Sequence, residues 1–176
     1  MSTGPDESAK GYPAGAPVAP AQLAQTLKQA VEDPEVRAPI SVRLDVEGGQ
    51  REDRYEFHFA AMGSGEAEAA LLCNLRGRAI EPRRAQLEEA ELAGLLKAID
   101  ARSLAEASKA RARIPPDSLV GRLRVSDGKQ EMIVFFMADP EQAKTAGYEA
   151  PAGVARVVDE IYALGAKALE TDDVRP

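Results

Sequence analysis

The chain has no tryptophan, a single cysteine, Cys73, and a single histidine, His58. A lone cysteine excludes an intramolecular disulfide, so the fold does not depend on oxidation. A lone histidine without visible partners supplies neither a histidine-rich metal site nor a Ser-His-Asp arrangement. Aromatics make up 5% of the residues, which leaves the core to Leu, Val, Ile and Ala. No apolar run approaches the roughly 20 residues that cross a bilayer, so no membrane insertion is expected. Positive charge is in short supply: 29 acidic against 22 basic residues give a net charge of −7. Such a surface repels phosphate backbones and argues against general nucleic-acid binding. Residues 1–10 are polar and carry no hydrophobic signal region. They point to a cytoplasmic protein, with secretion left open if a signal has been removed.

What is present suffices for one domain. A chain of 176 residues, 44% apolar, buries a self-sufficient core. Residues 1–19, with Pro5, Pro13 and Pro17, read as a flexible Pro/Ala/Gly-rich tail whose best anchor for a partner is Tyr12. Residues 20–169 read as the folded unit and 170–176 as a polar C-terminal tail. Leu23, Leu27, Ala30 and Val31 mark a first amphipathic helix that Pro34 ends.

The period then changes to two. Ile40, Val42, Leu44 and Val46 alternate with Ser41, Arg43, Asp45 and Glu47. After Gly48-Gly49, Tyr55, Phe57, Phe59 and Ala61 alternate with polar neighbours, so the two segments form a hairpin. Ala69, Leu71, Cys73 and Leu75 suggest a third strand. The stretch from Arg76 to Leu87 has no clear reading, and Pro82 argues against a central strand there. Leu92, Leu95, Leu96 and Ile99 define a helix from about Glu88 to Ala101, with two continuations open: Leu104 extends the stripe, or Ser103 caps a further turn. A second hairpin turns at Asp127-Gly128, a dipeptide that tolerates the positive φ of a tight turn. Its second strand, Met132 to Met137, is apolar on both phases, which predicts a central strand covered on both faces. Asp139-Pro140-Glu141 starts a short helix, and Val154, Val157, Val158, Ile161 and Leu164 mark the last one, with Gly165 a point of kinking or fraying. The fold class is therefore α+β: an antiparallel sheet of about five strands, two hairpins plus one strand, with amphipathic helices mainly on one face.

No residue combination demands catalysis, a metal or a cofactor. His58 lies on the polar phase of its strand beside Glu56, and Cys73 lies in an apolar stretch that favours an inert buried thiol. Glu88, Glu89 and Glu91 suit a helix N-terminus. Gly48-Gly49 and Gly63-Ser64-Gly65 lack the lysine of a phosphate loop and read as turns. Two basic groups stand out. One is Arg76, Arg78, Arg83 and Arg84; the other is Lys109, Arg111, Arg113, Arg122 and Arg124. Such charges most often balance acids on a solvated surface, but Arg122 and Arg124 share one strand face and suit an acidic partner. Tyr12, Arg122, Arg124 and Phe135 are the expected partner contacts.

The order of hairpin with Gly48-Gly49, Leu-rich helix Glu88–Leu104, hairpin with Asp127-Gly128 and C-terminal helix resembles the emfourin-like inhibitors of bacterial thermolysin-type metalloproteases. The likeness covers most of residues 40–164. The N-terminal extension, the segment Ala67–Leu87 and the long last helix depart from it, and no inhibitory residue carries over. The resemblance implies a protease inhibitor. The residues themselves imply a non-catalytic protein-binding or accessory module. The alternatives are a structural subunit of a larger bacterial assembly, or a ligand-binding protein or enzyme with a pocket between sheet and helices.

Overall fold

Side chains alternate across a strand, so a period of two sorts a segment into a core face and an open face. The computed structural model describes residues 20–109 and 114–176, and in it five of six strands sort themselves this way, the edge strand β4 being exposed on both phases. Tyr12 with the rest of residues 1–19, and Arg111 and Arg113, lie outside the described residues. The strands are β1 (Ser41–Gly48), β2 (Tyr55–Met62), β3 (Glu66–Cys73), β4 (Arg78–Gln86), β5 (Val120–Ser126) and β6 (Glu131–Met137). They form one antiparallel sheet in the order β4-β3-β2-β1-β5-β6.

The register places Leu44 opposite both Phe59 and Leu123, and Phe59 opposite Ala69. These residues, with Val42, Val46, Phe57, Leu71, Val125, Met132, Val134 and Phe136, build the core face. Helices close that face: α1 (Pro20–Ala30), the single turn α2 (Pro34–Arg37), α3 (Glu89–Ala98), α4 (Ala101–Lys109), α5 (Pro140–Thr145) and α6 (Val154–Ala168). Leu23, Leu27, Leu95, Leu104, Val157 and Ile161 carry their apolar stripes into the same core. Among the described residues, no helix is long and apolar enough to cross a membrane.

Several elements differ from the sequence expectation, each for a physical reason. The sheet has six strands rather than five, because the segment after Cys73 forms β4. Leu75 is not part of β3; it sits 78% exposed on a 3-10 turn, and Gly77, at φ 60°, reverses the chain behind it. Pro82 is tolerated because β4 is an edge strand whose register slips beside it. The Leu-rich helix is two helices, since Ile99 takes an extended conformation and Asp100 caps the second through Ser103 N–H at 3.1 Å. Strand β6 is at the edge, not the centre, of the sheet. Its core phase is buried as expected, but its other phase leaves Ile133 and Phe135 half-buried and only Met137 fully covered. Gly165 lies within α6, where an added Cβ would meet Phe57 Cζ at 2.6 Å; the glycine lets helix and sheet approach.

The last residues pack back onto the domain. Val174 is buried, and the Tyr55 hydroxyl donates to its carbonyl. The Arg175 guanidinium stacks 5.3 Å from the Tyr162 ring and bonds Asp159 at 2.9 Å.

Candidate functional site

Covering one face of the sheet leaves the other, and its residues are the polar phases of the strands. At its centre stands Asp45 on β1, directly opposite His58 on β2 and Arg122 on β5. Arg43, two residues earlier on the same face, is opposite Arg124. Phe135 and Ile133 continue these two rows onto β6 as the partners of Arg122 and Arg124. Strand pairing and strand alternation therefore collect six side chains around one carboxylate.

The carboxylate is well held. Asp45 Oδ2 accepts from Arg43 Nε at 2.8 Å and from Arg122 Nη2 at 3.0 Å, while Oδ1 bonds Arg43 Nη2 at 3.2 Å and lies 2.7 Å from His58 Nδ1. Its side chain is 9% exposed, whereas its partners are 40–50% exposed. Burial pushes the carboxyl pKa up, but the hydrogen bonds from Arg43, His58 and Arg122 outweigh it and hold the group below its ordinary value. His58 does not use Glu56, which instead meets Arg54 at 2.7 Å. The better-buried acid takes the ring because it sits directly across the strand pair.

A carboxyl with a depressed folded pKa stabilises the protein at pH values above its unfolded pKa, and this contribution is lost as pH falls through the folded value. The Asp45→Asn protein should therefore be less stable by roughly 1–3 kcal/mol near neutrality, a range lowered by the solvent access of the arginines. That deficit should shrink as the pH drops below about 4. Urea unfolding of both proteins at several pH values checks this, and a deficit that stays constant into acid would refute it.

Of the expected partner contacts, Arg122, Arg124 and Phe135 fall together on the open face. Asp45 was legible only as one polar-phase residue among four. The signal was there: an acid on one strand with Arg43 two residues away, and a histidine and two arginines on the polar phases of strands free to pair with it. Arg76, Arg78, Arg83 and Arg84 do not join this group. They run along β4 and its turn, where Arg76, Arg83 and Arg84 pair with Asp173, Glu170 and Glu68, and Arg78 donates to the Thr171 hydroxyl. Cys73 is free and buried. Glu91 accepts from the Glu88 backbone N–H at 2.9 Å and meets Lys167, so the acids at the start of α3 cap it. Among the described residues, no three His, Cys, Asp or Glu side chains are grouped to hold a metal.

Neither a family model nor a curated protein matches this chain.

Proposed function

We propose that the chain is a non-catalytic protein-binding or accessory module that docks its partner on the open face of the sheet. One observation carries this reading: a six-stranded sheet buries one face under helices and leaves on the other a patch of half-buried Phe135, Ile133 and Val120 beside the exposed Arg43, Arg122 and Arg124. Aromatic, aliphatic and arginine side chains grouped in this way have the composition of interface hot spots. A protease inhibitor of the emfourin-like kind is the sharpest form of the proposal.

The test is capture of partners from native lysate by the full chain and by its Ile133→Asp variant, with mass spectrometry of what co-elutes. Ile133 is half-buried on an edge strand, so the aspartate is tolerated by the fold, which circular dichroism verifies. A partner recovered by the parent and lost by the variant supports the reading. Equal recovery by both would move the interface elsewhere. Titration into thermolysin turnover tests the inhibitor form directly, and an unchanged rate at saturating protein would remove it.

A second reading draws on the Asp45–His58 contact of 2.7 Å, the arrangement that orients an imidazole for proton transfer. Here the pair lies on an open strand face rather than in a pocket between sheet and helices. A hydrolase screen in which activity appears and disappears with His58→Gln would favour it.

A further inference from the structure

The protein is acidic overall, yet the centre of its open face carries surplus basic donors. Around the middle of β1 and β5, the guanidiniums of Arg43, Arg122 and Arg124 face, among the described residues, only the carboxylates of Asp45 and Glu131. Arg43 spends its donors on a two-pronged contact with Asp45. Arg122 gives Asp45 only Nη2, and Arg124 gives Glu131 only Nη2. Among the described residues, Nε and Nη1 of both arginines have no hydrogen-bond partner, and both side chains are nearly half exposed. Glu47, Glu56 and Glu68 stand on the same face, but Arg54 takes Glu47 and Glu56, and Arg84 takes Glu68. The rim is thus net negative, with three carboxylates to two guanidiniums, while the centre, among the described residues, sets three guanidiniums against two carboxylates.

Geometry narrows the kind of anion. Arg122 and Arg124 are alternate residues of one strand, so their Cα atoms lie about 6.5–7 Å apart. An extended peptide repeats its own same-face side chains at the same interval. Phe135 and Ile133, opposite the two arginines on β6, supply apolar surface beside each.

We propose that the open face binds an extended acidic segment of a partner protein, with carboxylates at alternate positions paired to Arg122 and Arg124 and the methylene stems of those same acidic side chains lying beside Phe135 and Ile133. This rests on the reading of the open face as the docking face and adds what that face recognises. A carboxylate row meets the fork of each guanidinium through the nitrogens left over. The neighbouring Asp45 is already saturated by its own bonds, so it offers little repulsion beyond what the arginines offset. The remaining acidic surface keeps longer polyanions, such as nucleic acid, from extending past the patch.

The probe is a fluorescein-labelled peptide alternating glutamate and valine over ten residues, titrated with the full chain at low salt and read by fluorescence anisotropy. Binding is expected, with loss when the glutamates are replaced by glutamine and weakening as salt rises. Arg124 bonds Glu131 and not Asp45, so Arg124→Gln removes none of the hydrogen bonds that hold Asp45, and it should weaken binding several-fold. The double variant Arg122→Gln/Arg124→Gln should weaken it by at least about tenfold. Absence of binding, or affinity in both variants within twofold of the parent, would overturn the proposal. Tighter binding of a labelled oligouridylate of equal length would also overturn it, by assigning the face to nucleic acid. Should a lysate partner be lost with Ile133→Asp but retained by the double arginine variant, the docking face would stand and the acidic-segment inference alone would fall.

Discussion

Phe136→Ala should cost about 3–5 kcal/mol of folding stability, measured by urea or thermal unfolding. The ring points to the helix-covered face and is 4% exposed. It lies over its cross-strand partner Gly121, where an added Cβ would come within 2.2 Å of Phe136 Cζ. The aromatic ring thus fills the space that the glycine leaves, a form of compensation that β-sheets use at glycine positions. Truncation to alanine removes the ring and exposes the glycine below it, and neither neighbour can move in without shifting backbone. Strand β6 being at the edge does not reduce this expectation, because the penalty follows burial and not rank in the sheet. Ile133→Ala, on the opposite face of the same strand, gives the contrast: its side chain is only half-buried, and its loss should stay below about 1.5 kcal/mol. Two equal losses would mean that the open face of β6 is as well packed as the core face, and a Phe136→Ala loss below roughly 1 kcal/mol would mean that the ring is not packed at all.

The same strand shows what a sequence conveys and where it stops. Period-two patterning placed Phe136, Val134 and Met132 in the core, since alternation depends only on local geometry. It also suggested that both phases were covered, because Ile133, Phe135 and Met137 are apolar as well. Burial on the second phase depends on which strands flank β6 and on what lies over them, and these are tertiary facts with no local signature. The same limit explains β4. Arg78 to Gln86 is rich in arginine and carries Pro82, a composition that local propensity reads as irregular, yet pairing with β3 organises it as an edge strand protected by charge and a register slip. The site divides in the same way. Arg122 and Arg124 could be placed on one face from their spacing alone. The convergence of His58, Asp45 and Arg122 needed the strand order β2-β1-β5, which brings together residues up to 77 positions apart in sequence.

Gly63→Ala should be among the most damaging small substitutions in the chain, at about 3 kcal/mol or more. The loop between β2 and β3 starts here, and Gly63 N–H donates to Ile40 O at 2.7 Å, tying the loop to the start of β1. A methyl group at this position would lie 1.6 Å from Arg37 O and 2.5 Å from Arg37 C. Both obstructing atoms are backbone, so no side-chain rotation relieves the overlap. Relief requires α2 to move, and α2 is held between Asp33, which caps it through Glu35 N–H at 2.9 Å, and the buried Arg37 side chain. Moving that turn would pull Ile40, itself 1% exposed, out of the core. Gly77→Ala provides the internal comparison. That glycine has φ 60° and nothing within 4 Å of an added Cβ, so its substitution meets only the left-handed backbone penalty of about 1–2 kcal/mol. The expected order, with Gly63→Ala clearly the worse, separates a steric cause from a conformational one. If Gly77→Ala proved equal or more costly, the α2–β1 connection would have to be yielding enough to absorb a backbone shift, and the close approach at Gly63 would not constrain the fold.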